Sequence, residues 1–273
     1  MNKIELKNLC CIVVPIYKTL PTHIEIASFR QLLKVLSKYD IIIYTYQGLD
    51  LSVYLNEASF ANKSLQIEYF EKYYFSSIKG YNRLCLTVDF YRRVSSYKYM
   101  LIYQLDAWVF RDDLEYWCNL GYDYVGAPWF TNWGTYEDGE TLWAVGNGGL
   151  SLRNNSFYIR FLNYKWPILH RVDFDKGFIQ IIKSINMSCR TVKWWIRTVS
   201  DYTNEDYLLT NFFNFSNTKE LMPNLPTTHI AAKFSFEKSP AYLYELCENQ
   251  LPFGCHAFEK YEYEKFWKKY ITL

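Results

Sequence analysis

The sequence has little surplus charge and no long apolar run. Lys and Arg number 30 and Asp and Glu number 28, which gives a formal net charge of +2 over 273 residues. A protein that binds nucleic acid without sequence preference needs a cationic surplus, so we expect no nucleic-acid partner. No stretch approaches the roughly 20 apolar residues that cross a bilayer. The apolar run from Leu9 to Ile16 has no small-residue cleavage site after it, so we expect no signal peptide.

The sequence also lacks the cysteine spacing of a disulfide framework or a zinc site. Its seven cysteines are an odd number and include no Cys-x-x-Cys pair. Disulfides are rare in the cytoplasm, where thiols are kept reduced. We therefore expect buried, reduced thiols in a soluble cytoplasmic protein.

Aromatic residues are abundant and make up 20% of the chain, with 26 Tyr, 19 Phe and 9 Trp. Aromatic rings suit stacking on a sugar or a base, but they also fill large cores. A chain of this length buries roughly three quarters of its unfolded surface and needs no disulfide or metal ion in order to fold. The aromatic content alone does not choose between a core and a binding surface.

The order of apolar segments predicts one α/β domain. Leu9–Ile16 and Asp40–Tyr46 are short and β-branched like buried strands, and Thr22–Tyr39 between them has apolar residues at helical spacing. A strand–helix–strand opening is typical of a parallel sheet. Residues 121–149 are rich in Gly and Trp and indicate loops. Further along, the patterns predict helices at Tyr81–Tyr97, Thr203–Phe213 and Tyr261–Tyr270, and strands at Tyr99–Leu105, Leu150–Arg153 and Ile230–Phe236.

Two segments next to predicted strands carry residues suited to a phosphate-containing ligand. Asp106 directly follows an apolar strand, where open α/β sheets bind their ligands, and a carboxylate there can hold a divalent cation. The glycines of Val145–Arg153 (VGNGGLSLR) let the backbone approach a ligand closely. Ordinary turns are the alternative for both segments, and the glycines match neither a Walker loop nor a dinucleotide fingerprint.

Two further candidates lie in the second half of the chain. Glu205 and Asp206 begin a predicted helix, and paired carboxylates can supply a general base and a group that orients an acceptor hydroxyl. Acids that stabilise the helix dipole are the alternative. His256 lies between glycine and aromatic residues, where a packing role is the alternative to a ligand role.

Taken in order, six segments resemble GT-A-type nucleotide-sugar glycosyltransferases, and within them a bacterial polysaccharide-associated group formerly of unknown function. The segments are VVPIYK (Val13–Lys18), YQLDAWVF (Tyr103–Phe110), GAPWF (Gly126–Phe130), GNGGLSLR (Gly146–Arg153), NED (Asn204–Asp206) and PFGCH (Pro252–His256). The resemblance implies a GT-A (Rossmann-like) fold, in which a mixed central sheet is flanked by helices in a single domain. We expect this domain over residues 1–258, followed by a C-terminal amphipathic helix over residues 259–273.

The resemblance also implies a metal site that departs from the family pattern. Asp106 takes the place of the first acid of the Asp-x-Asp motif, whereas Trp108 stands where the second acid belongs. His256 aligns with a C-terminal histidine that reaches the metal or the diphosphate. The implied cofactor is a divalent cation, Mn2+ or Mg2+, held by Asp106 and His256. Without the cation, Lys18, Arg83 or Arg153 would offset the phosphate charge.

The remaining roles follow from the same resemblance. Asp206 is implied as the catalytic base of an inverting reaction and Glu205 as an acceptor contact. Trp129, Trp133 and Trp143 are candidates for an acceptor or sugar platform, with burial as the alternative for Trp129. The residues implied to bind the nucleotide sugar are Pro15, Ile16, Tyr17, Lys18, Asn82, Arg83, Gln104, Asp106, Ala107, Trp108, Gly148 and Gly149.

These implications define the expected function and its alternatives. The protein is expected to move a sugar from a nucleotide-diphosphate sugar, UDP-linked, to a hydroxyl of a saccharide or lipid-linked saccharide, in bacterial surface polysaccharide or glycoconjugate synthesis. The alternatives are a non-catalytic sugar-binding protein on the same scaffold and a metal-dependent nucleotidyltransferase or phosphohydrolase. The aromatic and basic residues of 259–273 suggest contact with the inner face of a membrane, and docking onto the domain is the alternative.

Overall fold

The structure is a computed structural model that describes residues 8–167, 190–199, 203–215 and 221–273. Its strands are β1 (Cys10–Pro15), β2 (Asp40–Tyr46), β3 (Leu65–Phe70), β4 (Tyr99–Tyr103), β5 (Ala107–Val109), β6 (Tyr124–Val125), β7 (Pro128–Phe130), β8 (Leu142–Val145), β9 (Leu150–Asn154), β10 (Ser235–Phe236) and β11 (Gly254–His256). Its α-helices are α1 (His23–Val35), α2 (Ser52–Phe60), α3 (Ile78–Cys85), α4 (Val88–Arg92), α5 (Leu114–Asn119), α6 (Asn155–Leu162), α7 (Val192–Val199), α8 (Glu205–Phe215), α9 (Thr228–Phe234) and α10 (Pro240–Leu246). Short 3-10 helices cover Lys72–Phe75, Thr131–Trp133, Tyr136–Asp138 and Trp267–Lys269.

A six-stranded sheet in the order β3-β2-β1-β4-β9-β6 forms the centre of the fold. The pairs β3–β2, β2–β1 and β1–β4 are parallel, whereas β9 runs antiparallel to both β4 and β6. Helices pack on the sheet because both of its faces are apolar. This architecture confirms the predicted mixed α/β fold.

Alternate residues of the central strands enter two different hydrophobic clusters. In β1, Ile12 and Val14 belong to the cluster on one face of the sheet, whereas Cys11 and Val13 belong to the cluster on the other. Successive side chains of a strand point to opposite faces, so a strand apolar at every position is buried on both sides. Every cysteine within the described ranges is a buried free thiol, and Cys189 lies outside those ranges.

A second, three-stranded sheet in the order β10-β11-β5 connects the C-terminal part of the chain to the end of β4. β11 runs antiparallel to β5 and pairs His256 with Ala107, and it runs parallel to β10 and pairs Cys255 with Phe236. This small sheet determines which C-terminal side chains come close to Asp106, the residue before β5.

Two of the predicted helices are shorter or interrupted. The first begins as expected, with a capping box between Thr22 and Glu25, but it ends at Val35 instead of Tyr39. The predicted helix Tyr81–Tyr97 is instead two helices, α3 and α4. Thr87 breaks it because its hydroxyl caps the new helix by accepting a hydrogen bond from the Phe90 N–H at 3.3 Å.

The predicted strand Ile230–Phe236 is wrong over most of its length. Residues Thr228–Phe234 form helix α9, which Thr227 caps through the Ile230 N–H, and only Ser235–Phe236 is extended. Ala231 and Ala232 favour a helix and lie fully buried in it.

The predicted C-terminal helix at Tyr261–Tyr270 is also absent from the structure. The segment forms turns and one 3-10 helix, since Glu262 has a positive φ of 55° that an α-helix does not accommodate. Phe266 and Trp267 are buried in a third hydrophobic cluster on the domain. Among the helices of the described ranges, none combines the length and the apolar character needed to cross a bilayer.

Candidate functional site

A cavity of about 590 Å3 opens where β1 and β4 end, a volume within the range of small-molecule sites. It brings together most of the residues predicted to bind the nucleotide sugar and all of those predicted to act in catalysis or metal binding. These residues are Pro15, Ile16, Tyr17, Lys18, Asn82, Gln104, Asp106, Gly148, Gly149, Glu205, Asp206 and His256. We call this space the donor cavity, after the nucleotide-sugar donor that the sequence predicts to bind there.

Three of the residues predicted to bind the nucleotide sugar do not line the donor cavity. Arg83 is exposed on α3 outside the wall. Ala107 and Trp108 are buried in β5, where the Trp108 ring packs edge-to-face on Phe258 with a centroid distance of 5.9 Å. Their side chains pack in the small sheet, and Asp106 is the residue of this motif that lines the donor cavity.

Asp106 and His256 meet on the wall of the donor cavity. Asp106 lies in a tight turn closed by a hydrogen bond of 2.9 Å from the Ala107 N–H to the Gln104 carbonyl. The β5–β11 register then places His256 opposite Ala107, so that its Nε2 lies 3.2 Å from Asp106 Oδ1. Two residues from distant parts of the chain thus form one acid–imidazole pair.

The electrostatics of this pair depend on both of its carboxylate neighbours. Burial alone would lower the pKa of His256, but the carboxylates of Asp106 and Glu237 outweigh burial and raise the pKa to about 10. Burial alone would raise the pKa of Asp106, but the imidazolium of His256 holds it below its ordinary value. The pair is therefore a carboxylate beside a cationic ring.

A divalent cation that displaces the proton from His256 Nε2 would find two possible ligand atoms in the same pair. Asp106 Oδ1 and His256 Nε2 are both buried and make no hydrogen bond with sound geometry. Carboxylate oxygen suits Mg2+ and Mn2+, and neutral imidazole nitrogen is a ligand of several first-row transition metals. Within the described residues, no group of three His, Cys, Asp or Glu side chains is placed to hold a metal ion, so the protein offers a pair of ligands.

The glycine segment between β8 and β9 lies against the histidine. Asn147 has a positive φ of 73°, and its Oδ1 accepts a hydrogen bond of 2.9 Å from the Gly149 N–H. Its Nδ2 lies 3.1 Å from His256 Nδ1. A Cβ atom on Gly149 would overlap the His256 ring, so only glycine permits this close approach.

Asp206 lies in the first turn of α8, with its carboxylate fixed by backbone N–H groups. Its Oδ2 accepts a hydrogen bond of 3.0 Å from Gly148, and its Oδ1 accepts one of 2.7 Å from Tyr207. Burial, together with the adjacent charge of Glu205, raises the pKa of Asp206 to about 7. A carboxylate with this pKa exchanges a proton readily near neutral pH.

Glu205, the other acid of the pair, is engaged on the inner side of the helix. Its Oε1 lies 2.5 Å from Nη2 of Arg153, and both side chains are almost completely buried. Arg153 also donates to the Tyr91 hydroxyl at 2.9 Å and to Ser151 Oγ at 3.1 Å. Arg153 is therefore unable to offset the charge of a phosphate in the cavity, contrary to one of our expectations.

A second cavity of about 580 Å3 adjoins the first, and we call it the acceptor cavity because Trp129 and Trp133, predicted as an acceptor or sugar platform, line it. Its walls share Asn204, Asp206 and Glu237 with the donor cavity. Asp206 therefore lies on the boundary between the two spaces. The acceptor cavity is otherwise lined by aromatic and basic residues, among them Trp129, Trp133, Tyr207, Lys238, Lys260 and Tyr261.

The three candidate platform tryptophans have different environments. Trp129 is 8% exposed and packs against Gly146, whereas Trp133 is 50% exposed. The ring of Trp133 makes edge-to-face contacts with Trp129 at 5.0 Å and with Tyr207 at 4.6 Å. Trp143 lies on β8 and lines neither cavity, so the structure does not place it with the other two.

Glu237 is a candidate site residue that the sequence analysis missed. It directly follows β10, lines both cavities, and has its Oε1 3.4 Å from His256 Nδ1. The available signal was the one used for Asp106, a carboxylate immediately after a predicted strand.

Several solved glycosyltransferase structures are similar to the chain at low identity. Core-mannan synthase A (CmsA/Ktr4) from Aspergillus fumigatus, in its Mn/GDP form, is 10% identical with a TM-score of 0.40, and the match covers 80% of this chain and 77% of that chain. The galactosyltransferase LgtC, solved in complex with donor and acceptor sugar analogs, is 13% identical with a TM-score of 0.48, covering 90% and 86%. The bifunctional glycosyltransferase WbbM, in its apo structure, is 12% identical with a TM-score of 0.47, covering 94% of this chain and 46% of that chain.

Of the two sequence comparisons, one gives a match and the other gives none. No curated protein matches the sequence. One family model, described as "Protein of unknown function (DUF5672)", matches residues 64–256, which include β4, the glycine segment, the start of α8 and His256. The chain therefore belongs to this DUF5672 family.

Proposed function

We propose that the protein is a glycosyltransferase that moves a sugar from a nucleotide-diphosphate sugar to a saccharide hydroxyl. The observation that carries the proposal is the position of Asp206 on the boundary of the donor and acceptor cavities. A base at that point reaches a hydroxyl bound on one side while the anomeric carbon is bound on the other. An inverting reaction needs this arrangement, because the attacking oxygen and the leaving diphosphate lie on opposite faces of the sugar.

In the proposed reaction, Asp206 accepts the proton of the acceptor hydroxyl. The hydroxyl oxygen forms a bond to the anomeric carbon, and the bond from that carbon to the diphosphate oxygen breaks with its electron pair. The diphosphate leaves with one additional negative charge. A general base works best with a pKa near the operating pH, which agrees with the value of about 7 for Asp206.

The donor side of the site supports binding of a charged diphosphate. Asp106 and His256 would hold a divalent cation through Oδ1 and Nε2, and the cation would neutralise charge on the leaving diphosphate. Pro15, the last residue of β1, and the following Ile16 and Tyr17 form one wall of the donor cavity and are assigned to the nucleotide base and the ribose. Lys18 lines this wall too, but its ammonium is paired with Glu25 at 2.7 Å.

Glu205 is assigned a positioning role, which replaces the acceptor contact implied by resemblance. Its carboxylate is bound to Arg153, and its side chain is only 4% exposed. This buried pair fixes the first turn of α8, whose next residue is Asp206. Glu205 therefore acts on the reaction through the placement of the base.

The finer features of the proposal stay predictions. They are a UDP-linked donor, inversion at the anomeric carbon, a cytoplasmic location and a role in bacterial surface polysaccharide or glycoconjugate synthesis. The cation is expected to be Mn2+ or Mg2+, with Asp106 and His256 as its protein ligands.

Incubation of the protein with a panel of nucleotide sugars and simple saccharide acceptors, with and without Mn2+, tests the function. We expect release of a nucleoside diphosphate and formation of a glycoside by the wild type. Asp206→Asn should bind the nucleotide sugar without transferring the sugar, while Glu264→Gln, an exposed carboxylate outside both cavities, should behave as wild type. Binding without release in the wild type would indicate a sugar-binding protein, and release of pyrophosphate would indicate a nucleotidyltransferase.

A further inference from the structure

Two carboxylates and two ammonium groups line the acceptor cavity, and they differ in the partners that hold them. Its carboxylates are Asp206 and Glu237, and its ammonium groups are Lys238 and Lys260. Asp206 is held by two backbone N–H groups, and Glu237 lies 3.4 Å from His256 on the donor side. Both carboxylates are thus already engaged at the boundary with the donor cavity.

The two lysines of the acceptor cavity lie around the ring of Tyr261. Lys238 Nζ donates to the Trp133 carbonyl and lies 6.0 Å from the Tyr261 ring centroid. Lys260 Nζ lies 5.0 Å from the same centroid. Both ammonium groups are therefore held beside one aromatic wall of the cavity.

Neither ammonium group has an ion-pair partner among the residues that the structure describes. The Tyr261 side chain is the main cause that raises the pKa of Lys260, and Glu237 and Asp106 add to it electrostatically from beyond ion-pair distance. A carbonyl oxygen and an aromatic face compensate an ammonium charge less completely than a carboxylate does. Two such groups at one wall create a positive region that attracts an anion.

The remaining walls fit the ring of a saccharide. Trp133 is half exposed, and its edge-to-face contact with Tyr207 at 4.6 Å gives a rigid aromatic corner. An aromatic face packs well against the apolar face of a sugar ring. A sugar bound there would lie in the cavity whose walls include both the base Asp206 and the two lysines.

From this arrangement we infer that the acceptor is an anionic saccharide, whose carboxylate or phosphate group binds between Lys238 and Lys260. The inference rests on the proposed function, because it names the substrate class of the acceptor cavity. A neutral saccharide would leave the positive region unused, while a uronic acid or a sugar phosphate would form charge-assisted hydrogen bonds with it.

Binding of three matched probes tests this inference: methyl β-glucoside, methyl β-glucuronide and glucose 6-phosphate. The donor cavity is first saturated with UDP, or with GDP where UDP does not bind, so that the anions compete only for the acceptor cavity. We expect at least one anionic probe to bind about tenfold more tightly than the glucoside, and the difference to shrink at higher salt. The anionic probe with the larger preference identifies the group as a carboxylate or a phosphate.

Substitution of the lysines assigns any such preference to this wall. Lys238→Gln and Lys260→Gln should each weaken binding of the anionic probe about five- to tenfold and leave the glucoside nearly unchanged. Lys233→Gln is the matched control, since Lys233 is exposed on α9 and lines neither cavity.

The failure of this inference is distinguishable from the failure of the proposed function. Equal affinities for the three probes, no binding of any probe, or an anion preference that survives the double substitution K238Q/K260Q would each overturn the inference. Nucleotide-sugar binding and cleavage by the wild type are measured separately. Their absence would instead overturn the glycosyltransferase proposal.

Discussion

Replacement of Arg153 by Met should strongly destabilise the protein. Arg153 is 0% exposed, and its guanidinium contacts Glu205, Tyr91 and Ser151. Methionine fills a similar volume without a charge, so the substitution leaves the Glu205 carboxylate buried without its partner.

The magnitude follows from the burial of both members of the pair. Removal of one partner from a buried ion pair costs about 3–5 kcal/mol, because an uncompensated charge remains in the interior. Globular proteins have an unfolding entropy of about 2.1 cal/mol/K per residue at the transition midpoint. For 273 residues, a loss of about 3–5 kcal/mol lowers Tm by about 5–9 °C.

A double-mutant cycle separates the charge from the packing. Glu205→Gln alone should also destabilise, because Arg153 then lacks its carboxylate. The double variant R153M/E205Q contains neither buried charge, so it should be more stable than the sum of the two single losses indicates. We expect an interaction free energy of about 2 kcal/mol or more between the two positions.

Urea unfolding followed by tryptophan fluorescence, with thermal unfolding in parallel, measures these differences. Arg30→Met is the matched control, since Arg30 pairs with Glu57 at 2.6 Å but its side chain is 61% exposed. The control should lose no more than about 1 kcal/mol. The reasoning is refuted if Arg153→Met loses no more than the control, or if the two losses at Arg153 and Glu205 are additive.

Four other outcomes are expected. Asp206→Asn should lower kcat about 10²–10⁴-fold. The kcat of the wild type should rise as the pH increases through about 7, because Asp206 must be ionised to act as a base. A kcat that does not change across neutral pH would contradict the role of Asp206 as the base. Asp106→Ala should weaken binding of a nucleoside diphosphate at least about tenfold by calorimetry with Mn2+, and unchanged affinity would make Asp106 a turn residue only. Gly149→Ala should lower stability by about 1–3 kcal/mol in urea unfolding, since its Cβ overlaps the neighbouring imidazole ring; an unchanged midpoint would refute the contact. Trp133→Ala should raise the acceptor KM about tenfold while Trp143→Ala leaves it unchanged, and equal effects in initial-rate assays would count against the platform.

The parts of the fold that could be predicted are those whose pattern is local. β2 has the predicted bounds Asp40–Tyr46, and β1 and β4 lie within their predicted strands, because each is a short apolar run that is buried on both faces. The end of β4 then indicated Asp106, and the start of α8 indicated Asp206.

The parts that could not be predicted depend on contacts between distant segments. An apolar run such as Ile230–Phe236 has the composition of either a strand or a buried helix. In the folded protein most of this run packs as a helix. The pairing of β11 with β5 has no local signature, so the contact of His256 with Asp106 came only from resemblance. Glu237 and Lys238 lie in the site because of the same small sheet. Glu237 had the signal of an acid after a predicted strand, but no local pattern connected that strand with Asp106.

The small sheet β10-β11-β5 has a consequence for the order in which the site is assembled. The residues of β11 are separated from β5 by about half of the chain, and contacts of such long range carry a loop-closure cost that slows their formation. A growing chain can pair β1, β2, β3 and β4 while Asp106 still has no histidine beside it. Partly synthesised chains therefore lack a complete donor wall, and capacity to bind a charged diphosphate arises only when the C-terminal segment docks.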